Sequence, residues 1–121
     1  MELIQFNKNG GPVTIEIVIQ GADVWSYVYA GDFMFKNNSG TGRTASHTLG
    51  LPVNLDNDIH SWDIRFGNIS DEIIAAAGIV TWKQDEQVIN IWTKQVQVPP
   101  GSAIKISDDA FLIGNVLTDA A

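Results

Sequence analysis

The chain contains no cysteine, which excludes a disulfide framework, a thiolate metal site and a cysteine nucleophile. Cations are scarce as well. Seven Lys and Arg stand against fourteen Asp and Glu, a formal charge of −7, and Lys8, Lys36, Arg43, Arg65, Lys83, Lys94 and Lys105 are scattered along the chain. Phosphate backbones and anionic lipid attract clustered cations, so neither nucleic acid nor a membrane is an expected partner. Long apolar runs are also missing: the longest near-apolar stretch, Ile73 to Val80, has eight residues and includes Gly78, against roughly 20 for a membrane helix. The opening M-E-L-I-Q-F has an acidic second residue and no apolar run of signal-peptide length, so the expectation is a soluble protein, with the cytoplasm a compartment that suits it.

What is present is a high apolar content, 45% hydrophobic against 17% charged in 121 residues, enough to bury one core in one domain spanning 1–121. Its patterning is that of strands. Val13, Ile15, Ile17 and Ile19 alternate with Thr14, Glu16, Val18 and Gln20, and His60, Trp62, Ile64 and Phe66 alternate with Ser61, Asp63, Arg65 and Gly67, the even positions inward. Period 2 with one apolar face is the mark of a half-buried strand. Ile79 to Lys83 and Val88 to Val98 flank the polar Gln84-Asp85-Glu86-Gln87, a connection of hairpin length. Pro99-Pro100-Gly101-Ser102 is a strong turn, followed by short strands over 103–107 and 110–117. His47, Leu49 and Leu51 suggest a short strand before Pro52, and Val53 to Asp58 reads as a loop whose side chains bond their own backbone. Ser70, Asp71, Glu72 and three alanines fit a short helix over 70–77. The preferred reading there is a strand from Glu72 to Lys83, with Ala75 to Gly78 lying under bulky side chains of a facing sheet. About eight short strands with frequent turns predict an all-β fold, an antiparallel β-sandwich of jelly-roll-like form.

The stretch Val24 to Lys36, V-W-S-Y-V-Y-A-G-D-F-M-F-K, carries five of the eleven aromatics. As one strand it exceeds the usual length of roughly 3 to 10 residues, and Gly31-Asp32 suits a two-residue hairpin turn. That turn pairs Ala30 with Phe33 and Val28 with Phe35. Val24, Val28, Ala30, Phe33 and Phe35 then form the core face, and Trp25, Tyr27, Tyr29, Met34 and Lys36 the opposite one. Trp and Tyr rings at alternate strand positions stand roughly 7 Å apart, a spacing suited to stacking on sugars or on a protein surface. Lys36 to Ser46, polar and glycine-containing, reads as an exposed mobile loop. The expected ligand-binding residues are therefore Trp25, Tyr27, Tyr29, Lys36, Asn37, Asn38 and Arg43.

Other constellations carry less. Asn54, Asp56, Asn57 and Asp58 offer hard oxygen ligands, but His60 and Ser61 break the EF-hand pattern, so no metal and no cofactor are expected. Ser46-His47 and His60-Ser61 are neighbours in strands and point to opposite faces, which prevents either from forming a nucleophile-base pair. Asp56, Asp63 and Asp108 are candidate carboxylates for glycoside chemistry only if the fold gathers them. Gly40 to Thr44 lacks P-loop spacing. The sequons Asn37-Asn38-Ser39 and Asn68-Ile69-Ser70 have meaning only in a secretory pathway.

The expectation is a non-enzymatic binding module for a carbohydrate-like or protein ligand, with self-association. The alternative is a structural homo-oligomer without a small ligand. A hydrolase or isomerase would need His47 and His60 to open into one pocket.

Overall fold

The computed structural model describes residues 1–21, 24–30, 33–39 and 43–115, and within 24–46 the backbone alone. It is an all-β sandwich. Among the described residues nine strands form two sheets, with one helical turn. The strands are β1 (Glu2–Asn7), β2 (Val13–Gln20), β3 (Val24–Ala30), β4 (Phe33–Ser39), β5 (Arg43–Gly50), β6 (Asp58–Asn68), β7 (Ile74–Gln84), β8 (Gln87–Val98) and β9 (Ala103–Asn115), and the helical turn α1 is Pro52–Leu55. A five-stranded sheet runs β1-β9-β6-β3-β4 and a four-stranded sheet runs β5-β2-β7-β8. All neighbours pair antiparallel except β1 with β9.

The alternation read from sequence decides the layers. Val13, Ile15, Ile17 and Ile19 of β2 are buried, as are Trp62, Ile64 and Phe66 of β6, and the two sheets meet over these rows. The sheets come closest at Gly78: a Cβ there would lie 2.6 Å from Ile64 Cδ1 and 3.1 Å from Ile106 Cδ1. The small residues of β7 thus lie under the branched side chains of the facing sheet. Trp62 meets Trp82 and Trp92 edge to face, with centroids 4.9 and 5.3 Å apart, a geometry that sets the positive edge of one ring against the negative face of another.

Two buried amides lock the sandwich ends. Gln84 Nε2 donates to the Asn7 and Gly11 carbonyls while its Oε1 accepts from Asn7 N. Asn68 Nδ2 donates to the Glu72 and Val98 carbonyls, and its Oδ1 accepts from Ser70. Both hydrogens of the Asn68 amide are thereby engaged and the residue is buried, so the Asn68 sequon offers no free acceptor nitrogen in the folded chain.

Several sequence-based expectations need correction. The helix near 70–77 is not formed. Asn68 ties residues 69–72 into a connection and β7 begins at Ile74, while the helical turn lies at Pro52–Leu55, where Val53 to Asp58 had read as a loop. Proline at the first position presets φ for that turn. The Lys36 to Ser46 loop is strand at both ends, in β4 and β5, because sheet neighbours override the weak strand propensity of Asn and Ser. The strands over 103–107 and 110–117 are one strand to Asn115, continuous through Ser107-Asp108-Asp109, whose polar groups find partners in the sheet. The β7–β8 turn is Asp85-Glu86 alone, with φ of 52° and 65°, and Gln84 pairs with Gln87. β1 had no counterpart in the sequence reading; its Ile4 and Phe6 are core.

Candidate functional site

β6 lies inside the five-stranded sheet, between β9 and β3. Since Trp62, Ile64 and Phe66 face the core, Ser61, Asp63 and Arg65 stand on the outer side. Register partners share a face, so Ser61 joins Asp109, Asp63 joins Ser107 and Arg65 joins Lys105. A shallow groove of about 510 Å³ is lined by Ser61, Trp62, Asp63, Arg65, Ser107, Asp108 and Asp109.

Its polar groups are arranged by short bonds. Ser61 Oγ donates to Asp109 Oδ1 at 2.6 Å. Arg65 folds back along its own strand, donating from Nη2 and Nε to Asp63 Oδ2 at 3.1 and 3.3 Å. The other oxygen, Asp63 Oδ1, is buried and has no hydrogen-bond partner among the described residues. A desolvated carboxylate oxygen without a donor is costly. Beyond Ser61 and Asp109, Leu3, Phe111 and Ile59 form one row across β1, β9 and β6, with Leu3 58% and Ile59 55% exposed. The face therefore grades from an apolar corner to a charged centre.

The sequence-predicted residues are placed as follows. Trp25, Tyr27 and Tyr29 are the register partners of Gly67, Arg65 and Asp63, of which Arg65 and Asp63 line the groove. Ala30 pairs with Phe33, Tyr29 with Met34 and Val28 with Phe35, the pairing a two-residue turn requires. Gly31-Asp32 itself lies outside the described residues. Lys36, Asn37 and Asn38 belong to β4, the neighbour of β3, where the register shifts between Ser26 and Val28. Arg43 opens β5 opposite Ile19, in the other sheet, so it does not share a sheet with the rest. The side chains of all seven lie outside the described residues. Ser61, Arg65, Ser107 and Asp109 line the groove without being among the residues expected from sequence. The polar phase of 61, 63 and 65 was visible; the neighbouring of β9, β6 and β3 was not.

The remaining candidates separate. Asp56 sits at the end of the sandwich, its Oδ1 accepting from Gly114 N at 2.7 Å and its Oδ2 3.2 Å from Lys8 Nζ. The Gly114 amide, with the Lys8 ammonium behind it, holds this carboxyl below its ordinary value of 3.8. Asp108 shares a row with buried Trp62, and its carboxyl is likewise lowered, first by the Asp109 amide and further by the Met1 ammonium, 3.2 Å from its Oδ1. Asp56 thus lies apart from the other two, while Asp63 and Asp108 both line the groove, from neighbouring strands and in opposite phases. His47 is opposite Ile15 in the four-stranded sheet and His60 opposite Ala110 in the five-stranded one. No cavity described among these residues is lined by both. Among the described residues no group of three or more His, Asp or Glu is placed to hold a metal, and no helix is long and apolar enough to cross a membrane. Comparison with protein-family models, with curated proteins and with solved structures returned no match.

Proposed function

We propose that the chain is a non-enzymatic binding module whose ligand, carbohydrate-like in chemistry, lies along the outer face of the five-stranded sheet. One observation carries this reading: the register sets Trp25, Tyr27 and Tyr29 in the same rows as Gly67, Arg65 and Asp63, beside a groove lined by Ser61, Ser107 and Asp109. Sugar recognition combines flat aromatic rings with a few fixed polar groups that bond hydroxyls, and the register of β3 with β6 supports a reading in which both kinds of residue serve one ligand. The guanidinium of Arg65 supplies planar donors, and Asp63 and Asp109 supply acceptors. A protein segment with exposed hydroxyl and amide groups is the second ligand class this chemistry admits.

The test is a titration with a panel of neutral oligosaccharides, following tryptophan fluorescence, on the native chain and on Trp25→Ala and Tyr27→Ala. The expected result is saturable binding by the native chain and folded, non-binding variants. Variants that unfold would show that those rings are core, and the reading would then fail.

A further inference from the structure

We propose that the ligand of the groove carries an apolar substituent, an alkyl aglycone on the sugar, and that the row Leu3, Phe111 and Ile59 holds it. This rests on the carbohydrate reading above and names its ligand class more closely, as a glycoside with a hydrocarbon tail. The three residues are register partners across β1, β9 and β6, and they point outward, since Ile4, Ala110 and Leu112 beside them are buried. Leu3 is 58% and Ile59 55% exposed. The next row on the same face is Asp109 and Ser61, which line the groove. The apolar row therefore lies two residues, roughly 7 Å, from the groove lining.

Single exposed apolar residues are ordinary on a protein surface, whereas a contiguous apolar row beside a polar groove marks a binding surface. Its chemistry decides what binds. Leu3, Phe111 and Ile59 hold no side-chain donor or acceptor, so a sugar ring laid there would give up the water bonds of its hydroxyls without replacement. A hydrocarbon gives up none and gains by leaving water. Size argues against a larger occupant, because three strands at roughly 4.8 Å spacing make a row only about 10 Å across. Ile113 adds one half-buried side chain on β9, and Gln5, its exposed register partner on β1, bounds the row. A stable interface with a folded partner or a second copy uses about 20–30 residues a side, far more than this row offers. A short alkyl chain running on from the groove is the occupant that matches it.

Isothermal titration tests this with the methyl, butyl and hexyl glycosides of glucose, galactose, N-acetylglucosamine and the oligosaccharide giving the strongest fluorescence response, and with hexanol as the sugar-free control. A fully buried methylene is worth about fourfold in affinity, so even on this open row a hexyl glycoside should bind at least tenfold more tightly than its methyl counterpart. Hexanol should bind at least tenfold more weakly than the hexyl glycoside. Leu3→Ser and Ile59→Ser, at outward positions, should keep the methyl glycoside affinity and bring the hexyl-to-methyl ratio within about twofold of one. Ile91→Ser, equally exposed but on the four-stranded sheet, should keep the full ratio. On the native chain, amide shift differences between the hexyl and methyl complexes should gather on Leu3, Ile59 and Phe111, a measurement that needs no variant. A native ratio below tenfold overturns this inference and leaves the sugar reading standing, whereas no binding by any of these glycosides overturns both. Hexanol binding as tightly as the hexyl glycoside, a ratio that survives Leu3→Ser and Ile59→Ser, or shift differences gathered elsewhere also overturn the inference.

Discussion

Across the outer face of the five-stranded sheet the rows read Leu3, Phe111 and Ile59, then Asp109 and Ser61, then Ser107 and Asp63, then Lys105 and Arg65. Across the four-stranded sheet they read Thr14 and Lys83, then Glu16, Thr81 and Ile91, then Val18, Ile79 and Thr93. Both faces bear shallow grooves of similar size, about 510 and 460 Å³, so volume does not separate them. Bonding capacity does. On the four-stranded face the Glu16 carboxylate is met by Lys83 Nζ at 3.0 Å, and the side chains around it are mostly short and β-branched. On the five-stranded face Asp63 keeps a buried oxygen without a donor among the described residues. A face becomes a candidate site when its polar groups are positioned but not used up, and polarity alone is a poor guide.

The comparison can be broken from below. Trp62 lies on the inner side of the strand whose outer side forms the groove, in contact with Trp82 and Trp92. Trp62→Ala should cost about 3–5 kcal/mol in denaturant unfolding, and the loss should disorder both faces together. A stable variant with an intact fold would show that the two sheets are not held by this cluster.

It can be sharpened on the faces themselves. Asp63→Ala and Arg65→Ala should each lower oligosaccharide affinity about tenfold, equivalent to about 1.4 kcal/mol, while changing stability by about 1 kcal/mol or less, as expected for a partly exposed ion pair. Thr81→Ala and Thr93→Ala, on the four-stranded face, should leave affinity within about twofold. Isothermal titration of the four variants decides between the faces.

A smaller effect belongs to the four-stranded sheet alone. Asp85 and Glu86 both occupy the left-handed region, at φ 52° and 65°, which costs a non-glycine residue about 1–2 kcal/mol. Asp85 has a further task, since its Oδ1 accepts from Gly11 N, and Glu86 has no such bond among those described. Glu86→Gly should therefore raise stability by about 0.5–1 kcal/mol with no change in ligand affinity, read from thermal unfolding and the same titration.

The smallest effect is one of pH, and it falls on the five-stranded side. The Asp56 carboxylate joins β9, through Gly114, to Lys8. Its folded-state pKa is lowered from 3.8, so the carboxylate's contribution is complete above that value and is lost as pH falls through the lowered one. Asp56→Ala should be less stable than the native chain at pH 7, and the difference should shrink below about pH 4, followed by urea midpoints across pH.

Much of this architecture was legible because alternation in one strand is a local property. Val13 to Ile19 and Trp62 to Phe66 declared their buried faces, the Ala75 to Gly78 run declared a close approach, and the Gly31-Asp32 spacing gave the β3–β4 pairing. What was not legible depends on neighbours. Nothing in Asn37, Asn38 or Arg43 favours a strand until β3 and β2 lie beside them, and Ser107-Asp108-Asp109 reads as a break until β6 supplies partners. The site was half visible for the same reason. The aromatic positions of β3 and the polar phase of β6 were each apparent, but only the strand order β9-β6-β3 sets them in register.

The central claim is that the ligand face is the outer side of the five-stranded sheet. The most direct test is amide chemical-shift mapping during titration with the oligosaccharide that gives the strongest fluorescence response. The account predicts perturbations running through β3, Ser61 to Arg65 and Ser107 to Asp109, with Thr14, Thr81 and Thr93 unmoved. Perturbations gathered instead on Thr14, Thr81 and Thr93, or no perturbation by any oligosaccharide at millimolar concentration, would contradict it.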